Sequence, residues 1–168
     1  MKIPRITYAA YGFAAVVIVL DQLTKAWMLY GLHLREVGQV QVLPPILNFS
    51  YVLNTGVSFG LFGGGAGRWI LSIFSIAVAI ALAFWARRAD RRVLITAIGL
   101  VMGGAIGNVI DRIRFGGVVD FIDFSGTGLF PWVFNVADSA ITVGVILLII
   151  DSFISERAAK VGAANEKS

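Results

Sequence analysis

The chain of 168 residues is 58% hydrophobic and only 14% charged, whereas a soluble domain carries about a quarter charged residues. Its length predicts one domain, with about half of the residues in membrane spans. It has no cysteine and one histidine, His33, which excludes disulfides and thiolate chemistry and argues against a histidine-based metal site or a Ser-His triad. The net charge of +4 does not indicate nucleic acid as a partner, because the basic residues lie at the ends of apolar runs.

The first apolar run predicts a spanning helix over about 6–29. Lys2 and Arg5 before it would also suit a cleavable signal peptide, but no small-x-small cleavage pattern follows the apolar core. Asp21 and Lys25 are spaced i,i+4 on one face near the far end of this helix. We interpret them as a structural polar pair that faces protein and not lipid.

The segment 31–67 differs from its surroundings because polar and apolar residues alternate in it. Period two predicts strands within 39–62, which would form a small sheet on the membrane surface. The alternative is a plain connecting loop, for which about 35 residues is long. The run 54–56, Asn-Thr-Gly, predicts a turn, and the glycine-rich run 63–67 predicts a flexible loop.

Three further apolar runs predict spanning helices over about 68–86, 93–111 and 136–154. The loop 87–92 contains four arginines, which is typical of a cytoplasmic loop. The tail, about 156–168, is polar and mixed in charge, which predicts disorder. Glycines recur at four-residue spacing in the third span, which permits close helix packing: Gly99, Gly103 and Gly107.

The predicted fold is therefore mainly α, with four transmembrane helices and a small surface sheet in one domain over 1–168. Nine of the fourteen basic residues lie on the side shared by both termini and the arginine loop. The positive-inside rule then places both termini in the cytoplasm. The connections 31–67 and 112–135 would lie on the outer side.

Asp120 and Asp138 each lie at the edge of an apolar run on the predicted outer face. A carboxylate in an apolar setting is costly unless it is paired or protonated. Two carboxyl groups brought together there would share a proton and could activate a water molecule, so we interpret them as an aspartyl-protease dyad. Each residue alone would equally suit a helix cap or a surface acid. Two carboxylates and His33 are too few ligands for a metal, and no cofactor is predicted.

Polar side chains near this outer face could orient the two carboxyl groups. Arg112 is expected just off the dyad, bonding backbone carbonyls or Asp111, because closer contact would suppress the neutral form that the mechanism needs. The candidates are Asn54, Asn108, Arg112 and Asn135.

Several separate motifs, in order from about residue 12 to 154, resemble the bacterial lipoprotein signal peptidase (signal peptidase II) family. The resemblance implies a four-helix aspartyl peptidase of the inner membrane with its active site at the periplasmic face. The segment of about 31–67 would then be its extracytoplasmic β-cradle. It also implies cleavage of diacylglyceryl-modified prolipoproteins before the lipidated cysteine, and inhibition by globomycin-type cyclic peptides. The motifs are Asp21 with Lys25, Asn54-Thr55-Gly56, the run from Gly103 to Arg112, Val119-Asp120-Phe121, and the run from Phe134 to Ser139.

By position, the resemblance makes Asp120 and Asp138 the catalytic pair, with Asp21 and Lys25 as a mainly structural pair. One departure is Val57-Ser58, where the family is expected to have two small residues. The supporting residues implied near the substrate are Asn54, Gly104, Asn108, Arg112 and Asn135.

Two other functions suit the same residues. The carboxylates could form the proton relay of a small transporter, but Asp151 is the only acid deep on the inner side of a span and no polar chain connects it outward. A non-enzymatic membrane scaffold would tolerate alanine at both aspartates, and would leave the neighbouring amides unexplained.

Overall fold

The computed structural model describes residues 6–56 and 65–165, and these residues form five α-helices and one sheet of four strands. The helices are α1 (Thr7–Ala26), α2 (Leu34–Val37), α3 (Ala66–Ala86), α4 (Arg92–Phe115) and α5 (Val136–Asn165). The strands are β1 (Gln39–Leu43), β2 (Leu47–Asn54), β3 (Val118–Asp123) and β4 (Val133–Phe134).

Within those residues, four helical segments are long and apolar enough to cross a membrane. One of them is α1 extended by a π-helical turn. They match the four predicted spans to within a few residues, so the protein is a multi-pass membrane protein. The segments are Thr7–Gly31, Ala66–Ala86, Arg92–Phe115 and Val136–Arg157.

Helix α4 is the central helix of the bundle. In its most apolar stretch, 72% of α4 is buried inside the protein, whereas the corresponding stretches of the other three spans are 22–28% buried. A Cβ at Gly99 or Gly103 would come within 2.7 Å of a backbone carbonyl oxygen of α1, from Ala10 or Ala14 respectively. The predicted close packing through small residues is therefore present between α4 and α1.

The sheet is antiparallel throughout, in the order β1-β2-β3-β4. Strands β1 and β2 confirm the predicted alternation, whereas β3 and β4 come from the connection 112–135, in which the sequence predicted no strand. Asp120 therefore lies on β3, opposite Val52 of β2. Residues 57–62 of the predicted strand region, with Val57-Ser58, lie outside the described residues.

Two predicted boundaries are wrong. Helix α5 continues to Asn165, so the stretch expected to be a disordered tail from 156 begins as helix. Ala66 and Gly67 form the first residues of α3 and do not belong to the glycine-rich loop, of which 63 and 64 lie outside the described residues.

A small apolar cluster joins the sheet to the bundle. Met28, Leu34 and Phe121 are almost fully buried in it, and the rings of Phe49 and Phe121 meet edge to face at 6.1 Å. Because Phe121 follows Asp120 on β3, this cluster fixes the strand against the end of α1. Aromatic contacts of this kind add about 1 kcal/mol each beyond burial.

Candidate active site

Three charged side chains form a buried cluster where α1 and α4 meet below the sheet. The Lys25 Nζ atom lies 2.8 Å from Asp21 Oδ2 and 2.7 Å from Asp111 Oδ2, and all three side chains are at most 2% exposed. We call these residues the lysine cluster. The predicted i,i+4 contact of Asp21 with Lys25 is present, and Asp111 is a third member that the spacing did not indicate.

The carboxylates of the lysine cluster also accept hydrogen bonds from backbone N–H groups of neighbouring elements. Asp21 accepts a hydrogen bond from the backbone N–H of Ala137 in the first turn of α5, at 2.9 Å. Asp111 accepts one from the N–H of Val119 on β3, at 3.0 Å. The first N–H groups of a helix have no partner within the helix, so Asp21 supplies one. The cluster thereby ties α1, α4, α5 and β3 together.

The second acidic site contains Asp120 and Asp138, which we call the amide-held pair. Asp120 is 1% exposed. Its carboxyl group accepts hydrogen bonds from the Asn54 side-chain amide at 3.1 Å and from that of Asn135 at 2.6 Å. Asp138 accepts one from the Asn108 amide at 2.8 Å. In the described residues no lysine or arginine lies within ion-pair distance of either carboxyl group.

Asn135 connects the two aspartates directly. Its side-chain oxygen accepts a hydrogen bond from the Asp138 backbone N–H at 2.9 Å, and Asp138 Oδ2 accepts one from the Asn135 backbone N–H at 3.4 Å. This reciprocal pattern is a capping box at the start of α5. Because the Asn135 amide also donates to Asp120, one side chain joins β3 to the first turn of α5.

The direction of each amide follows from what its own oxygen binds. The oxygen of Asn54 accepts the N–H of Gly56 at 3.0 Å, in the predicted turn. The oxygen of Asn108 accepts from Lys25 Nζ and from the Asn135 amide, both at 3.4 Å. An amide whose oxygen is occupied by a donor must turn its NH₂ group to the other side. In each case that side holds a carboxyl group of the amide-held pair.

The environment of Asp120 favours its protonated form. Burial, and secondarily the charge of Asp138, raise the pKa of Asp120 from 3.8 to about 6, against the opposing effect of the hydrogen bonds from Asn54 and Asn135. Near neutral pH Asp120 therefore retains its proton in a fraction of the molecules.

Asp123, on the same strand, behaves in the opposite way. Burial acts to raise its pKa, but hydrogen bonds from Ser125, Ser50 and Gln39 outweigh burial and lower the pKa below 3.8. The Ser50 hydroxyl and the Ser125 backbone N–H donate at 2.5 and 2.8 Å. Asp123 is thus a structural acid and a matched control for Asp120.

The two remaining predicted supporting residues do not contact the carboxyl groups directly. Arg112 has a buried Nε without a hydrogen-bond partner among the described residues, and neither the expected bond to backbone carbonyls nor one to Asp111 is present there. Gly104 packs beneath the start of α5, because a Cβ there would lie 2.4 Å from the Ala137 carbonyl oxygen. Because Gly104 has no side chain, α4 and α5 can approach each other closely there.

Two cavities with mostly apolar linings adjoin this site. One of about 300 Å³ lies beside Asp138 and is bounded by Phe130, Phe134 and Thr142. The other, of about 200 Å³, lies between α3, α4 and α5. Its lining includes Phe74, Val78, Val101, Asn108, Arg112 and Ile141.

Comparison with known proteins decides the family. The family model described as signal peptidase (SPase) II matches residues 13–154. The chain belongs to the signal peptidase II family. It is therefore a peptidase, and the resemblance noted in the sequence is confirmed.

Individual members of the signal peptidase II family agree with this assignment. The chain is 52% identical to a lipoprotein signal peptidase of Caulobacter vibrioides over 158 residues, which cover 93% of each chain. It is 48% identical over 138 residues to one of Methylorubrum extorquens, covering 80% of each. A solved bacterial membrane enzyme is 33% identical, with a TM-score of 0.73 and 90% of each chain covered.

Besides Asp111, sequence reasoning missed two features of the candidate site. Gln22 donates to Asp111 at 2.9 Å and accepts from Arg114 at 3.1 Å, and no local signal distinguishes it. The capping box was visible as Asn135-x-x-Asp138 before an apolar run. That pattern would have predicted that Asn135 contacts Asp138.

Proposed function

We propose that this chain is an aspartyl endopeptidase that removes signal peptides from diacylglyceryl-modified prolipoproteins by cleaving before the lipidated cysteine. The observation that carries the proposal is the hydrogen-bonded chain from Asp120 through Asn135 to Asp138. The relatives named lipoprotein signal peptidase support the substrate class. No cofactor is needed.

The proposed reaction uses one proton shared by the amide-held pair. The ionised carboxylate takes a proton from a water molecule, which attacks the scissile carbonyl carbon. The protonated carboxyl group donates its proton to the carbonyl oxygen, giving a neutral tetrahedral intermediate. When the C–N bond breaks, the carboxyl group that took the proton from water gives it to the departing amine. The other carboxylate takes a proton from a hydroxyl group of the intermediate, which leaves the carboxylic acid product and restores the pair. The amides of Asn54, Asn108 and Asn135 hold both carboxyl groups in position without supplying a charge.

We assign the substrate contacts to the surroundings of the pair. The buried Nε of Arg112 supports a role in binding a backbone carbonyl of the substrate near the scissile bond. The two apolar cavities beside Asp138 and Asn108 suit a signal-peptide helix and an acyl chain that arrive laterally from lipid. The scissile bond would then lie at the membrane interface, where water reaches the pair.

We also propose that the protein lies in the bacterial inner membrane with both termini cytoplasmic and the active site at the periplasmic face. The arginine loop between α3 and α4 supports this orientation. The absence of native cysteine makes the test simple. Leu129 on the site side is 89% exposed, and Asp90 in the arginine loop has a side chain that is 90% exposed.

In intact spheroplasts, a membrane-impermeant maleimide is expected to label the L129C variant and not the D90C variant. After lysis, it is expected to label both variants. Equal exposure of the two positions makes each the control of the other. Labelling of D90C alone in intact spheroplasts would reverse the orientation.

The catalytic proposal is tested by cleavage of a lipidated precursor in detergent, with and without globomycin. Asp120→Asn and Asp138→Asn are each expected to lose at least about 1,000-fold in kcat, because members of a catalytic unit fail together. Asp123→Asn, an acid-to-amide change on the same strand, is the matched control and should remain active. Normal turnover in either dyad variant would reject the mechanism.

A further inference from the structure

The end of the bundle opposite the active site contains a basic cavity that the proposed reaction does not use. The cavity has a volume of about 500 Å³ and is lined by Phe84, Trp85, Arg87 and Arg88. These residues end α3 and begin the arginine loop. The Phe84 and Trp85 side chains are 61% and 46% exposed, although a soluble environment would disfavour two large exposed aromatic rings together.

A second cavity of about 420 Å³ continues from the first, toward the middle of the membrane. It is lined by Tyr11 of α1 and by Ile80, Ala83, Phe84 and Arg87. Phe84 and Arg87 line both cavities, so the two adjoin at these side chains. We call the two cavities together the basic-headed groove. The Tyr11 hydroxyl donates to the Ala83 carbonyl oxygen at 3.1 Å, which fixes the groove wall.

The arginines of this loop have different partners. Arg91 Nη2 lies 2.8 Å from Asp151 Oδ2, so its charge is compensated within the protein. Among the described residues no acid lies within ion-pair distance of Arg87 or Arg88. The Arg87 guanidinium instead lies 5.8 Å from the Phe84 ring centroid, a cation–π arrangement that keeps it at the cavity.

We infer that this basic-headed groove binds one anionic phospholipid of the cytoplasmic leaflet, with its phosphate at Arg87 and Arg88 and an acyl chain along Ile80 and Ala83. Arginine is suited to a phosphate because its planar fork donates two hydrogen bonds to the oxygens. Basic pockets between transmembrane helices on the cytoplasmic side recognise such headgroups. The site lies apart from the peptidase substrate, whose cleavage occurs at the other end of the bundle.

The test is native mass spectrometry of the full-length protein in detergent with equimolar phosphatidylglycerol and phosphatidylethanolamine. The wild-type protein is expected to retain one phosphatidylglycerol with about tenfold preference, equal to about one charge-assisted hydrogen bond. Arg87→Gln should lose that preference. Arg92→Gln is the matched control, because it removes the same charge from the same loop but lines neither cavity, and it should keep the preference.

Ala83→Phe tests the acyl-chain part with every arginine in place, since the larger side chain would fill the groove. It should also lose phosphatidylglycerol. The inference is overturned if the wild-type protein shows no preference, if the two arginine variants lose it equally, or if Ala83→Phe binds like wild type. Cleavage activity plays no part in these outcomes, so they are separate from failure of the proposed peptidase.

Discussion

The lysine cluster and the amide-held pair lie side by side at one end of the bundle, and each contains two aspartates. In the lysine cluster, Lys25 lies within 2.8 Å of both carboxylates. In the amide-held pair, the donors to the side chains are neutral asparagine amides. An adjacent cation fixes a carboxylate in its charged form, whereas amides orient a carboxyl group and leave room for a proton. Under the proposed function, this contrast assigns the lysine cluster to holding the fold and the amide-held pair to acid–base chemistry.

The largest effect is expected from removing the cation of the lysine cluster. Lys25→Met leaves Asp21 and Asp111 buried without a counter-charge, which should destabilise the protein by about 3–5 kcal/mol. Thermal unfolding in detergent measures this. The triple variant that also carries Asp21→Asn and Asp111→Asn should recover part of the loss. A Lys25→Met protein as stable as wild type would show that the cluster does not anchor the fold.

Next in size is the effect of giving the amide-held pair a cation. Asn54 is exposed, so Asn54→Lys should fold, but the ammonium group would lower the pKa of Asp120 and remove the shared proton. Cleavage at pH 7 is expected to fall about 100-fold, the usual contribution of a general acid. Asn54→Gln controls for side-chain length. Full activity in Asn54→Lys would mean that the pair does not need its proton.

A smaller effect is expected from deleting the same amide. Since kcat/KM reports the free enzyme, it should fall in the wild-type protein as pH rises through about 6, where Asp120 loses its proton. The Asn54 hydrogen bond lowers that pKa, so in Asn54→Ala the falling limb should move to higher pH. The rate at the optimum should drop about tenfold. A falling limb that moves to lower pH in Asn54→Ala would contradict the assignment of this limb to Asp120.

The smallest effect is expected at Asp123. Asp123→Asn should keep cleavage within about threefold, as for a residue away from the reacting atoms. Because the folded protein lowers the pKa of Asp123, the ionised carboxylate contributes stability above its unfolded pKa of 3.8 and loses it as pH falls through the lower folded value. The Tm difference between variant and wild type should therefore shrink on acidification. A large loss of activity at neutral pH would show that Asp123 takes part in the active site.

The sequence predicted what local patterns determine. Apolar runs of membrane length located the four spans, and glycines at four-residue spacing indicated that α4 packs closely, because both patterns lie within one segment of the chain. That α1 is the helix packed against those glycines was not predicted. The strand β3 was missed because its two aspartates, Asp120 and Asp123, lie three residues apart and break the alternation of polar and apolar residues. Its pairing partner β2 also lies far upstream. The predicted tail was wrong because its helix continues the apolar span before it.

At the candidate site, the sequence indicated which polar residues to consider but not how they are connected. Asp120, Asp138 and the asparagines stood out as polar residues beside apolar runs. That the Asn135 amide also reaches Asp120 depends on how β3 packs beside the start of α5, which no local pattern encodes. The same holds for Asp111, whose partner Lys25 lies on another helix.

The titration of the Asp120 carboxyl group tests the shared-proton mechanism most directly. Carboxyl ¹³C NMR of aspartate-labelled protein in detergent, with the resonance assigned by Asp120→Asn, would follow its titration. A midpoint near pH 6 is expected in the wild-type protein, and a lower midpoint in Asn54→Lys. A midpoint at or below the ordinary value of 3.8 would mean that the carboxyl group is fully ionised at neutral pH, and would contradict the shared-proton mechanism.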